Sequence, residues 1–114
     1  MSSLSLARSI ERELELAERF SHDGELARAF SHLERAHVLG QASTFDHTRI
    51  HWRMFKLGVR MLSPREIWGQ IIRIIGAAIL TPIGIYPTGN TGGSNVWFFQ
   101  SMPLADDLRE ILEN

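Results

Sequence analysis

Four of the five histidines lie between positions 32 and 51, together with a glutamate, and residues of these types can bind a transition metal. Glu34 and His37 are three residues apart, and His47 and His51 are four residues apart. Side chains at these spacings share one face of a helix. If the two segments are helical and lie side by side, the two pairs face each other across a helical hairpin.

The residues between the two pairs predict this hairpin. Gly40 follows an apolar-periodic run, as a left-handed residue just past a helix end does, so the first helix is predicted to end near Leu39. Ser43 and Asp46 fit an acidic form of the capping box, which starts the next helix near Thr44. Because so short a connection makes two helices antiparallel neighbours, the two pairs are expected to meet near the turn.

The spacing favours two interpretations and leaves both open. Along the hairpin, His37 is expected to face His47, and Glu34 to face His51. In the first interpretation these four side chains bind a divalent transition metal, and zinc, iron and copper all accept three imidazoles and a carboxylate. In the second, Glu34 accepts hydrogen bonds from the histidines, and the set is a buried polar network that fixes helix packing.

A metal at this position does not by itself predict an enzyme. An open coordination position would allow a bound water to be activated, or a redox metal to meet oxygen. No independent acid, base or nucleophile stands out near the set, so the sequence does not indicate a reaction. A Glu-x-x-His pair also occurs in dinuclear carboxylate sites, for which a homodimer would have to supply the second copy. His22 and His32 are predicted to lie outside the site, at the surface.

Length and composition bound the class of protein. With 114 residues, 44% of them hydrophobic, the chain is expected to form one helical domain over residues 1–114. A net charge of -1 and the lack of a basic run with interleaved aromatics argue against nucleic-acid binding. Without cysteine there is neither a disulfide nor thiolate chemistry. The first ten residues lack the pattern of a signal peptide, so a cytoplasmic location is predicted.

Helical periodicity recurs along most of the chain and predicts an all-α protein. Apolar stripes opposite charged faces predict helices from about Ser5 to Phe20 and from about Thr44 to Leu62. Ser63-Pro64-Arg65-Glu66 is typical of a helix start, with a Ser N-cap and Pro at the first helical position. We therefore expect a small bundle of four main helices plus a short C-terminal helix from Asp106 to Leu112, with a glycine-rich irregular segment packed across it.

The fourth of these helices is apolar on nearly all sides from Ile67 to Leu80, interrupted mainly by Gln70 and Arg73. Such a helix is usually buried. The apolar stretch is shorter than the roughly 20 residues that span a bilayer, so membrane contact is not expected. We interpret the helix as a core helix or as the interface of a homodimer through residues 67–80. The alternative function is accordingly a helical interaction module, in which the histidines form only a buried polar network.

Between about residues 82 and 103 the chain loses its periodicity and carries four glycines, which predicts an ordered loop over the core. Val96, Trp97, Phe98 and Phe99 are expected to anchor it. Successive amides in such a loop can bind an anion. The loop lacks the Lys-Ser/Thr pair and the strand-then-helix context of a nucleotide site, and no small-molecule substrate is indicated.

Several of these motifs occur together in one known family. They are His32-Leu33-Glu34-Arg35-Ala36-His37-Val38-Leu39-Gly40-Gln41, then His47 and His51, then Gly89-Asn90-Thr91-Gly92-Gly93 and Met102-Pro103. From about Ala17 to Leu112 the chain resembles a small bacterial family known as a domain of unknown function, number 3703. The resemblance implies no reaction, cofactor or partner. It does imply that the histidine hairpin and the glycine loop are parts of one structural unit.

Overall fold

The computed structural model describes residues 3–94, 96, 97 and 100–113, and within them it contains five α-helices, one 3₁₀ turn and no strand. The elements are α1 (Ser3–His22), α2 (Leu26–Gly40), α3 (Thr44–Arg60), α4 (Pro64–Leu80), the 3₁₀ turn (Thr81–Ile83) and α5 (Asp106–Glu113). The predicted all-α class is confirmed, with four main helices and a short C-terminal one.

The helices pack mainly in chain order, α1 on α2, α2 on α3 and α3 on α4, while α5 closes against α1 and α2. The apolar stripes of α1, α2 and α3 meet to form the core, and Leu108 of α5 joins them. Its buried members are Ile10, Leu14, Ala17, Ala29, Phe30, Leu33, Ala36, Val38, Leu39, Ile50, Met54, Leu57 and Leu108. This core therefore holds α2 and α3 as a fixed hairpin without using α4.

Close approach of α2 and α3 depends on Gly40. A Cβ at this position would lie only 3.0 Å from Cδ1 of Ile50 and 3.1 Å from Cβ of Asp46. The predicted left-handed conformation of Gly40 is wrong, because the residue is the last of α2 and its φ is not positive. The predicted N-cap is confirmed, since Oγ of Ser43 accepts from the Asp46 amide at 3.3 Å. The Asp46 carboxylate, however, accepts from Arg49.

The start of α4 agrees with its sequence signal, but the orientation of the helix could not be read from it. Ser63 is the N-cap and Pro64 the first helical residue. The residues that α4 buries include Glu66, at 5% exposure, and Gln70, at 0%. The helix thus turns Glu66 and Gln70 toward the rest of the protein, the reverse of an ordinary surface helix.

The opposite face of α4 is an exposed apolar stripe. Trp68, Ile72, Ile75 and Ile79 follow the i, i+4, i+7, i+11 spacing of one helix face, and each is more than half exposed. The core of the described residues does not cover this stripe, so α4 is not a core helix. The segment Pro64–Ile83 is also the one described helix that is long and apolar enough, by length and composition, to cross a membrane.

After the 3₁₀ turn, the described part of the loop folds back on itself and onto the hairpin. Gly89, with φ +81°, lies so close to the chain that a Cβ there would be 2.0 Å from the Met102 carbonyl oxygen. The Met102 amide donates to the Thr88 carbonyl at 3.0 Å. Of the predicted aromatic anchor, Trp97 is 61% exposed. Phe98 and Phe99 lie outside the described residues.

Candidate metal centre

Three histidines meet in the interior beside the α2–α3 turn. His37 lies in the last turn of α2, and His47 and His51 lie in the first two turns of α3. Their exposed fractions are 2%, 6% and 2%. Nε2 of His37 is 3.0 Å from Nε2 of His47 and 3.0 Å from Nε2 of His51. Each ring can therefore offer one nitrogen to a common point, and these three atoms lie within 4.8 Å of one another.

The other nitrogen of each ring has a hydrogen-bond partner from a different element. Nδ1 of His37 lies 2.7 Å from the Asn90 carbonyl oxygen, in the glycine loop. Nδ1 of His51 lies 2.6 Å from Oε1 of Gln70, in α4. Nδ1 of His47 lies 2.7 Å from Oγ1 of Thr81, in the 3₁₀ turn. The loop, α4 and the turn after it thus orient the three rings that the hairpin supplies.

These partners determine the tautomers of two rings. A backbone carbonyl only accepts, so His37 carries its proton on Nδ1. The Gln70 amide nitrogen donates to Oε2 of Glu66 at 2.9 Å and to the Gly92 carbonyl at 2.8 Å. This orients the Gln70 oxygen toward His51, which must also carry its proton on Nδ1. In the neutral rings, Nε2 of His37 and Nε2 of His51 are therefore both bare acceptors, 3.0 Å apart.

The third ring cannot satisfy both acceptors. Thr81 offers a hydroxyl, which can donate as well as accept, so His47 can carry its proton on Nε2. That one proton would serve one acceptor and leave the other lone pair without a donor. Three neutral rings in this arrangement thus leave at least one inward nitrogen without a donor from another ring, and buried polar atoms nearly always have a partner from the protein or from water.

Burial keeps the three rings neutral. Desolvation lowers the pKa of His47 to about 4 and that of His51 to about 3. The pKa of His37 lies well below its ordinary value, first because of its burial and then because of the charges that His51 and His47 would carry. Near neutral pH all three rings are uncharged, which is the form that binds metal ions.

The glycine loop packs directly on this cluster. Gly92 has a φ of +86°, and a Cβ there would lie 2.7 Å from the ring of His37. Its amide donates to Oδ1 of Asn90 at 2.8 Å. Nδ2 of the Asn90 side chain in turn donates to the carbonyls of Trp97 and Gln100, at 2.9 Å and 2.8 Å. Asn90, which is 1% exposed, therefore ties the loop closed over His37.

Glu34, the fourth predicted ligand, lies outside the group of three histidines. Its side chain is hydrogen-bonded to Thr91, and it lines a separate cavity with Glu66. Burial raises the pKa of Glu34, with the Glu66 carboxylate contributing in the same direction. The predicted pairing of Glu34 with His51 is replaced by contacts of His51 with His37 and Gln70. A role for Glu34 as a metal ligand stays a prediction.

The two remaining histidines are outside the cluster, as expected, but one is not at the surface. His22 is exposed. The predicted exposure of His32 is wrong, since it is half-buried. Its Nδ1 lies 2.7 Å from Oε2 of Glu13, and its ring stacks on Phe20 at 5.4 Å. Arg35 also donates to Glu13, so His32 belongs to a polar contact between α1 and α2.

Sequence reasoning missed the three residues that orient the histidine rings. The sequence did single out Gln70, because it interrupts an otherwise apolar helix, and Asn90, because it lies within the glycine loop. It did not single out Thr81, because a threonine near a helix end is common. Local periodicity could not assign any of them to a histidine, since each contact joins residues 19 or more positions apart.

Comparison with known proteins agrees with the motifs. Residues 4–112 match the family described as "Protein of unknown function (DUF3703)", so the predicted resemblance is confirmed over nearly the whole chain. No curated protein and no solved structure matches the chain.

Proposed function

We propose that this chain, which belongs to the DUF3703 family, is a small helical protein that binds one transition-metal ion through Nε2 of His37, His47 and His51. The observation that carries the proposal is the convergence of three buried imidazole nitrogens, each on a ring whose other nitrogen has a hydrogen-bond partner. Histidine ligands in metal sites nearly always have such a partner, which sets the tautomer and the ring orientation.

A metal ion resolves what a purely internal network leaves open. Because His37 and His51 carry their protons on Nδ1, their Nε2 lone pairs face each other, and a cation between them would turn this repulsion into two bonds. The alternative of protonating His37 is opposed by its lowered pKa. The polar-network interpretation leaves one inward nitrogen without a protein donor, whereas the metal interpretation uses all three.

The distances suit an ion of ordinary size. Zinc lies about 2.0–2.1 Å from imidazole nitrogen, which places two tetrahedral ligands about 3.3 Å apart. The separations of 3.0 Å from His37 to each partner would have to widen by a few tenths of an ångström. The third separation, from His47 to His51, lies within 4.8 Å and would have to reach the same value. Zinc, iron and copper all accept three imidazoles, and we propose one of these three. Three protein ligands leave a coordination position open.

The protein purified without an affinity tag or chelator is expected to contain close to one zinc, iron or copper ion per chain by elemental analysis. Removing the ion with a chelator is expected to lower the free energy of unfolding, because the metal binds the folded state. At a free metal concentration 100 times Kd the difference is about 2.7 kcal/mol. Protein that holds no metal, even after each ion is added back, would leave only the polar-network interpretation.

A second proposal concerns partners, and the exposed stripe of α4 favours it. Trp68, Ile72, Ile75 and Ile79 present a continuous apolar face, and a second copy of the chain would offer an identical one to cover it. Interfaces between identical chains most often use the same patch on both subunits. We propose a homodimer through α4, in a protein whose cytoplasmic location is likewise a proposal.

Ile75→Arg is expected to convert this dimer into a monomer, which sedimentation velocity would measure. Full burial of an isoleucine is worth about 1.5–3 kcal/mol per subunit, and the two arginines would face each other across the axis. The dimer Kd should therefore rise by at least about 100-fold. Ala7→Arg, on the exposed side of α1, is the matched control. A wild-type chain that is monomeric alone but sediments with phosphatidylcholine vesicles would favour a membrane surface instead.

A further inference from the structure

A cavity of about 90 Å³ lies against the three histidines. Its walls come from α4 and from the start of the glycine loop, and all three histidine rings line it. The apolar part of the wall is formed by Ile72, Gly76, Ala77, Leu80 and Ile85. The Nδ1 atoms already have protein partners, and two of these partners, Thr81 and Asn90, line the cavity as well. The Nε2 atoms of the cluster contact one another, so a metal bound to them would take a further ligand from this adjoining cavity.

The size of the cavity limits what can enter. An apolar cavity of about 150 Å³ takes up one benzene molecule, with six heavy atoms, and one water needs about 10–15 Å³. A volume of about 90 Å³ thus holds a ligand of fewer than six heavy atoms, or a few waters. The cavity opens to solvent beside the exposed side chains of Ile72 and Ile85, so a larger molecule could place only a small part of itself inside.

The charge around the cavity favours an anion. The three histidines are neutral, so a divalent ion bound to them keeps its full charge. Arg73 also lines the cavity, held there by donation to the Gly69 carbonyl at 3.1 Å and to the Val96 carbonyl at 2.7 Å. Glu34 and Glu66 are not among the lining residues. The bound metal ion and the Arg73 guanidinium are two positive charges beside an apolar wall. Such surroundings suit a small ion that carries a single negative charge and is weakly hydrated.

We propose that the open coordination position of the His37/His47/His51 site binds a small monovalent anion of fewer than six heavy atoms within this cavity. This rests on the proposed metal binding. It assigns the position to a ligand from solution rather than to a fourth protein side chain, Glu34 included. No covalent step is implied, since the anion exchanges with a bound water.

The probe is azide, added to protein loaded with Co²⁺, whose visible absorption reports the coordination of the metal. A saturable change of the spectrum is expected, and benzoate, which cannot lie wholly within the cavity, should bind more weakly than azide. Gly76→Leu should fill the cavity, because a Cβ at Gly76 has no neighbour within 4 Å. This variant is expected to keep one cobalt ion per chain and to bind azide at least ten times more weakly.

Ala78→Leu is the matched control, because residue 78 is exposed on the same helix and does not line the cavity. It should bind azide as the unaltered chain does. Gly76→Ala, a smaller change at the same position, should show an intermediate loss even if the leucine variant folds poorly. Cobalt binding without any response to azide, or equal azide affinity in all variants, would overturn the anion site alone. Failure to bind cobalt would instead overturn the metal site on which it rests.

Discussion

His51→Ala is expected to purify with less than a tenth of the metal bound by the unaltered chain, and to bind added metal more than about 100-fold more weakly. Loss of a single hydrogen-bond partner behind a ligand costs about 10- to 100-fold in metal affinity, so loss of the ligand itself should cost more. His51 is also buried, at 2% exposure, and its Nε2 lies 3.0 Å from that of His37. No further histidine of the described residues belongs to this group and could replace His51 as a ligand. Competition with a chromophoric chelator measures the affinity.

His22→Ala is the matched control, because His22 is exposed and lies outside the cluster. It should retain full metal content, and far-UV circular dichroism should show that both variants are folded. Equal metal content in the two variants would contradict the site. Glu34→Gln then decides between three and four protein ligands. Unchanged affinity would assign the metal to the histidines alone, and a large loss would restore Glu34 to the ligand set.

Acid is expected to destabilise the metal-free protein steeply below pH 6.5. In the unfolded chain a histidine has a pKa of about 6.5, whereas burial lowers the pKa of His47 to about 4 and of His51 to about 3 in the folded chain. Between these values the unfolded state binds protons that the folded state does not. The contribution of these rings to the free energy of unfolding is therefore constant above pH 6.5. It falls progressively as the pH is lowered from 6.5 toward 4.

The size of the effect follows from the number of rings. Each buried histidine contributes about 1.4 kcal/mol per pH unit within its window. The pKa of His37 is lowered too, so the combined slope approaches about 4 kcal/mol per pH unit. Between pH 6.5 and pH 5 the loss is therefore about 6 kcal/mol, which is comparable with the total stability of the less stable small domains, about 5 kcal/mol. Glu34, whose pKa is raised by burial, opposes this trend only toward the acid end of the window.

Urea unfolding at pH 7, 6 and 5 measures this slope. His47→Gln, which removes one titrating ring, should reduce the slope by about a third, whereas His22→Ala should leave it unchanged. Protein loaded with metal should hold its stability to lower pH, because the ion occupies the nitrogens that protons would otherwise take. A metal-free chain equally stable at pH 7 and pH 5 would show that the three rings are not buried as neutral groups.

Much of the site could be predicted because its parts are local. The 3.6-residue period places His47 and His51 on one helix face, and Ser43 fixes where that helix begins through a bond three residues long. The same holds for the start of α4 at Ser63 and Pro64. Contacts of this kind depend on near neighbours in the chain, so residue types and spacing are sufficient to anticipate them.

Two predictions were wrong at positions where contacts with residues distant in the sequence determine the structure. Gly40 was predicted to be a left-handed residue just past the end of α2, but it is the last helical residue, and the approach of Ile50 and Asp46 uses its missing side chain. Glu34 looked like the partner of His51, but Gln70 takes that place from α4. In each case the local pattern allowed more than one outcome, and packing between helices selected one.

By itself the sequence determined the helices, the N-caps Ser43 and Ser63, the hairpin and the three histidines that share its inner side. The tertiary structure alone decided which way α4 faces and which groups hold the rings. A helix that is apolar on nearly all sides has no periodicity from which to read its inward face. The buried nitrogen of His51 needed an acceptor, and Gln70 supplied it, so α4 turned Gln70 inward and Ile72, Ile75 and Ile79 outward.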